Sequence, residues 1–257
     1  MTLPAASAEF RFYEELNDFL PPERRRVAFS YSVAGTRSVK DAIESIGVPH
    51  TEIDLILVDG VSVGFEHILR GGERVAVYPV FELFDISALQ HLRPRPLREP
   101  RFVLDVHLGK LARNLRMAGF DTLYRNDYRD GELVTAALAE QRIILTRDRG
   151  LLKRREVTHG YFVRHTDAQG QLAEVVRALQ LEAHLRPFSR CRECNTLLQE
   201  TSKAEVLARL PTKVRAAHER FRRCPGCNRV YWEGSHYERL CRMIEGALES
   251  DSGAAAV

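Results

Sequence analysis

The chain has 257 residues, 38 Lys and Arg against 35 Asp and Glu, and five cysteines. That length accommodates more than one domain with a buried core. Its apolar runs stop short of the roughly 18 to 20 residues of a membrane helix, and MTLPAASAEF lacks a charged stretch followed by an apolar one, so a cytoplasmic protein with no membrane partner is expected.

Charge divides unevenly along the chain. Residues 1–100 carry 11 Lys and Arg against 15 Asp and Glu, and the remainder 27 against 20. The basic part is the one suited to a polyphosphate, because Lys and Arg contacts release counterions. A solvated surface gives the same balance.

Apolar alternation predicts strands over Phe10–Tyr13 and Val27–Val33, with Pro21 and Pro22 in the connection. Ser38–Gly47 reads as a short helix: Ser38 caps it, Val39, Ile43 and Ile46 form a stripe, and Gly47 ends it. Leu55–Val58, Asp59-Gly60 and Val61–Val63 read as a tight hairpin. Gly71-Gly72 precedes a last strand, Arg74–Phe81. Two strands, a helix and further strands make a β-grasp order. SVKDAIESIGVPHTEIDLILVDG with LRGGERVAVYPVF is similar to ubiquitin-like sulfur-carrier proteins and to the ubiquitin-like domain ahead of certain RNases. Carriers of that type end in a free Gly-Gly tail. This chain runs on without one, so the resemblance implies docking of a protein partner more than sulfur transfer.

Residues 85–100, with Pro94, Pro96 and Pro100 among arginines, read as a linker. A central segment over 101–185 then alternates strand and helix: strands 101–105, 122–125, 143–147 and 161–165, helices 108–118, 131–140 and near 171–181. That alternation predicts an α/β domain with a parallel sheet. Leu108, Leu111, Ala112 and Leu115 give the first helix its apolar face, leaving Lys110, Arg113 and Arg116 to the rest of its surface.

Asp105 ends one apolar strand, Asp148 ends another, and Asp130 opens a helix between them. Carboxylates at the carboxyl ends of neighbouring strands meet at the crevice where α/β folds bind ligands. Like charges that close repel unless a cation or a shared proton stands between them, and the arrangement suggests a divalent metal site. Two of the aspartates also have an ordinary reading: Asp105 as a cap for the helix near Leu108, and Asp148 as a residue of the turn after a strand.

RDGELVTAALAEQRIILTRDRGL resembles the PIN-like nucleases, in which one Asp ends the first strand, a second opens a later helix, and a third lies in a T-x-D sequence. LDVHLGKLARNLRMAGFD, IILTRDRGLLKR and the cysteine pairs followed by VYWEGSHYERL resemble the Mut-seven C-terminal RNase family more closely. The resemblance implies an α/β PIN-like ribonuclease domain with Asp105, Asp130 and Asp148 as catalytic ligands of Mg²⁺ or Mn²⁺, and RNA as the partner. Larger PIN nucleases carry another acidic residue in a connection that is short here. Either Asp121, Asp127 or Glu132 stands in for it or the site holds fewer metal ligands, with Asp167 a further candidate after a strand. Lys110, Arg113 and Arg147 are candidates for holding phosphates.

Four cysteines form two C-x-x-C pairs, Cys191/Cys194 and Cys224/Cys227, separated by 29 residues. Two such pairs complete a tetrahedral Zn²⁺ site that leaves no open position, so this zinc is expected to be structural. Ser202 and Glu205 suggest a capping box for a helix in the insert, ended by Pro211. The basic run Lys213–Arg223 suits RNA contact. Trp232 is read as packing on the ribbon, with base stacking as the alternative. Cys241 is read as a core residue on a helix near Tyr237–Leu248.

The expected organisation is therefore a ubiquitin-like β-grasp domain (1–84), the linker, a PIN-like domain (101–185), a zinc ribbon with a C-terminal helix (186–249) and a disordered tail (250–257). The expected activity is metal-dependent RNA hydrolysis. The alternative is a non-catalytic RNA-binding module whose ubiquitin-like domain recruits a protein.

Overall fold

The computed structural model describes residues 6–33, 37–79, 100–234, 237–239 and 241–242. The predicted linker lies almost wholly outside them; the tail and most of the C-terminal helix do too. Two compact units divide the chain: Met1–Arg98 with Asp148–Phe162, and Glu99–Arg147 with Val163–Val257.

The first unit opens with β1 (Ser7–Phe12), β2 (Phe29–Ser32), β3 (Arg37–Ser38), α1 (Val39–Ile46), β4 (Leu55–Val58), β5 (Val61–Ser62), β6 (Ile68–Leu69) and β7 (Arg74–Tyr78). Its main sheet runs β2-β1-β7-β4-β5, with β1 and β7 parallel and the other neighbours antiparallel. This is the expected mixed β-grasp sheet. Strict alternation in β1 buries Ala8, Phe10 and Phe12, which meet Val39 and Ile43 of α1 and Ile56, Val75 and Val77 of the sheet. The hairpin forms as predicted, because Asp59 (φ 49°) and Gly60 (φ 84°) both adopt the left-handed backbone that a two-residue turn requires. A 3₁₀ turn over Glu14–Phe19 and the short β3–β6 pair are additions that no periodicity announced.

The Ser38 hydroxyl accepts the Asp41 N–H at 3.1 Å, as the capping pattern required. Ser38→Ala should cost this unit about 1 kcal/mol, read as a lower urea midpoint at unchanged slope.

The second unit contains β8 (Arg101–Leu104), α2 (Gly109–Ala118), β9 (Asp121–Tyr124), α3 (Asp130–Glu140) and β10 (Ile143–Thr146). β8 lies between β10 and β9, parallel to both. Phe102, Val103 and Leu104 are all fully buried, the mark of a strand covered on both faces. The apolar face of α2 is as predicted, with Leu108, Leu111, Ala112 and Leu115 buried.

Past Arg147 the chain enters the first unit as α4 (Arg149–Leu152) and β11 (Gly160–Phe162). It returns to the second unit with α5 (Ala168–Ala178), which packs on α2. β12 (Gln199–Thr201), α6 (Lys203–Val206), α7 (Thr212–Ala217), β13 (Phe221–Arg223) and β14 (Val230–Trp232) follow. β12, β13 and β14 form a small antiparallel sheet over a core of Val206, Leu210 and Phe221. Trp232 packs on that core, as its structural reading required. Cys241 is half-buried rather than a core residue. Among the described residues no helix is long and apolar enough to cross a membrane.

Candidate functional site

The carboxyl ends of β8 and β10 lie level, because Leu104 pairs with Leu145. The next residues along are therefore neighbours. The Asp105 N–H donates to the Leu145 carbonyl at 3.1 Å, and the Thr146 hydroxyl donates to Asp105 Oδ2 at 2.7 Å. Thr146 is fully buried and Asp105 half-buried. Asp105 makes no side-chain cap for the turn that follows. Its capping reading therefore fails, and its carboxylate is instead oriented by a buried hydroxyl at the strand end.

The other two aspartates are differently placed. Asp130 is exposed at the first position of α3. Asp148, two residues past Thr146 in the chain but within the first unit, accepts the Gly150 N–H at 2.7 Å and caps α4. It thus follows a strand as its ordinary reading had it, and the structure adds a capping role.

Each alternative acidic residue is engaged elsewhere. Asp121 accepts from Arg142 at 2.7 Å and Asn195 at 2.8 Å. Burial works to raise its carboxyl pKa, but the hydrogen bonds from Arg142 and Asn195 overcome it and hold the group below the usual carboxylate range. Asp127 pairs with Arg125, Glu132 accepts the Arg129 N–H, and Asp167 caps α5 through the N–H groups of Gly170 and Gln169.

The basic candidates divide. Lys110 and Arg113 are exposed on α2, with Arg113 3.8 Å from the Glu193 carboxylate. Arg147 turns its Nη1 onto the carbonyls of Val163, Arg164 and His165 at 3.1, 2.6 and 2.5 Å. That nitrogen secures backbone. Arg116 departs from its predicted surface position: it is 5% exposed. The reason is its set of acceptors, the carbonyls of Thr122, Arg192 and Glu193 at 2.9, 3.3 and 2.7 Å. A buried guanidinium is tolerated where its donors are satisfied.

Those carbonyls belong in part to the cysteine module. Cys191 N–H donates to the Thr196 carbonyl and Asn195 N–H to the Cys191 carbonyl; Cys224 with Arg229, and Asn228 with Cys224, repeat the pattern. Asn195 (φ 68°) and Asn228 (φ 60°) turn the chain through the left-handed region. CRECN and CPGCN thus fold as two copies of one turn, each presenting two sulfurs. All four sulfurs lie within 4.8 Å of one another, with Cys191–Cys227 at 3.5 Å and Cys194–Cys224 at 3.3 Å. Thiolates at about 2.3 Å from a tetrahedral zinc stand about 3.8 Å apart. The sulfur-only donor set therefore fits a structural Zn²⁺.

The electrostatics agree with that fit. Burial raises the Cys194 thiol, yet hydrogen bonds from Thr196 and its neighbouring cysteines bring it down to about 6, while burial drives Cys227 up to about 12. Four crowded sulfurs do not ionise together unless a cation joins them.

Asn195 and Arg116 fasten the module to the β9 edge of the sheet. Asn195 Oδ1 accepts the Thr122 N–H at 3.0 Å. Sequence reasoning passed over Asn195, for which the repeated asparagine after each C-x-x-C was the available signal, and placed Arg116 on the surface.

Residues 100–244 match the family profile of the Mut7-C RNAse domain, and residues 5–85 that of the Mut7-C ubiquitin domain. No curated protein and no solved structure matches the chain.

Proposed function

The chain belongs to the Mut7-C RNAse family, and from that premise we propose a metal-dependent ribonuclease whose Asp105, Asp130 and Asp148 hold Mg²⁺ or Mn²⁺ at an RNA phosphodiester. The observation that carries this reading is the setting of Asp105. It ends a fully covered parallel strand, caps nothing, and takes a hydrogen bond from buried Thr146. An oxygen-only donor set suits a hard cation over zinc. When bound, such a cation neutralises phosphodiester charge and makes an attacking water more acidic. The carboxylates hold and orient; none acts as a covalent nucleophile. Lys110 and Arg113, exposed on α2, take the flanking phosphates. Arg147 is left out, because its Nη1 already serves three carbonyls.

One observation favours a non-catalytic RNA-binding scaffold: Asp148 already serves as the cap of α4. Asp148→Asn separates the two readings, because Asn caps a helix as well as Asp does and α4 should survive. In the zinc-loaded protein, calorimetric Mn²⁺ affinity should fall at least about tenfold in the variant, a scale set by the milder loss of outer-shell partners. Equal Mn²⁺ binding in both proteins, with RNA still retained, would decide for the scaffold.

A further inference from the structure

The stretch Asp148–Phe162 lies within the sequence matched to the RNAse domain, yet it is compact with the ubiquitin-like unit. Its attachment there is directional. Lys153 Nζ donates at 2.7 Å to the Glu44 carbonyl in the last turn of α1, which also accepts the cap N–H of Gly47 at 3.2 Å, and a cation there complements the helix dipole. His50, 6% exposed, bridges the Glu44 carboxylate at 2.6 Å and the Val157 carbonyl at 2.8 Å. Glu52, 4% exposed, accepts the Phe162 N–H at 2.6 Å. The Arg149 guanidinium lies 4.9 Å from the Phe19 ring centre and 5.3 Å from that of Phe162. Leu151, Leu152 and Val157 are buried.

A loop that merely brushed a neighbouring surface would not bury an imidazole and a carboxylate against its backbone, because such groups are costly to bury unless paired. Here the anchors recur at residues 149, 153, 157 and 162, along the whole segment. We propose that the ubiquitin-like unit is an intrachain clamp, whose α1 and His50–Glu52 face holds residues 149–162 and so fixes Asp148 at their head. His50 and Glu52 are positioning residues, and this face is occupied by the protein's own chain. The proposal rests on the ribonuclease reading, in which Asp148 is a ligand.

The test uses the full-length, zinc-loaded protein with Glu52→Ala, Glu52→Gln and Lys153→Met, read by hydrogen exchange and by RNA-cleavage kinetics. In Glu52→Ala the Phe162 amide should exchange at least about tenfold faster while α1 and β7 keep their protection, and kcat should fall about tenfold with KM nearly unchanged. Glu52→Gln should retain both, since its amide oxygen still accepts. Lys153→Met removes an anchor from the segment's side without touching the ubiquitin-like core, and should loosen residues 149–157 alike. Unchanged exchange in Glu52→Ala and Lys153→Met overturns the clamp. Faster exchange with unchanged kcat overturns its role in setting Asp148. A wild type that cleaves no RNA overturns the ribonuclease reading alone, and exchange still decides the docking.

Discussion

Asp105→Asn is expected to lower cleavage of labelled single-stranded RNA in Mn²⁺ by at least about 100-fold, since even outer-shell partners of a metal ligand cost 10 to 100-fold when removed. Wild-type cleavage should stop in EDTA. The fold should survive, because Asn is nearly isosteric and its amide oxygen still accepts from Thr146, whose hydroxyl now lies 2.7 Å from Asp105 Oδ2. Any stability change should stay within about 1 kcal/mol, the scale of one hydrogen bond. Thr146→Val supplies the graded control. It preserves shape in a fully buried site and removes the hydroxyl that orients the carboxylate, so it should lose activity by about 10 to 100-fold at saturating metal. An Asp105→Asn protein that cleaves RNA like wild type would end the assignment of Asp105 as a ligand. Variants that lose cleavage yet retain RNA would confirm that Asp105 acts in the chemistry.

The sequence carried the framework of this site because its signals are local. A three-residue apolar run ending in Asp105 reports a covered strand and its carboxyl end. C-x-x-C-N, met twice, reports a turn whose geometry depends on a few adjacent residues. The β-grasp order was legible for the same reason: β1 alternates strictly, Ser38 and Gly47 bracket α1, and Asp59-Gly60 closes a hairpin. What stayed hidden was where polar side chains spend their hydrogen bonds. Arg116 falls on the polar side of α2 by periodicity, yet the Thr122 carbonyl six residues on and the Arg192 and Glu193 carbonyls 76 and 77 residues on draw it inside. Arg147 follows a strand like any phosphate-binding arginine, but backbone sixteen to eighteen residues on claims its Nη1. Residues 149–162 read as a continuation of the α/β segment because they follow it, and β11 is indeed the fourth strand of that sheet, beside β10. Their packing in the ubiquitin-like unit depends on His50 and Glu52, about a hundred residues earlier. No pattern of period 2 or 3.6 encodes a contact of that range.

Zinc removal gives the second large effect, and the chain supplies its own reporter. Its single tryptophan, Trp232, packs with Val214 and Val230 against a core of only Val206, Leu210 and Phe221. Three buried apolar side chains make a small core for a module of this size, and small modules depend on a staple such as a metal or disulfide. The four-cysteine cluster supplies that staple, and structural zinc contributes on the order of 10 kcal/mol in small modules. Chelation should therefore disorder the β12–β14 sheet, shift Trp232 emission to longer wavelength and release one Zn²⁺ per chain; added Zn²⁺ should reverse this and Mg²⁺ should not. The change should spread to the parallel sheet, because Arg116 and Asn195 tie the first cysteine turn to Thr122 on β9. Once that turn dissolves, the Arg116 guanidinium loses the Arg192 and Glu193 carbonyls while still buried, and β9 amides should exchange faster even in excess Mn²⁺. Unshifted emission after complete zinc release would show that the module folds on its apolar core alone. Shifted emission with β9 still protected would confine the metal's influence to the ribbon and make Arg116 a local fastening only.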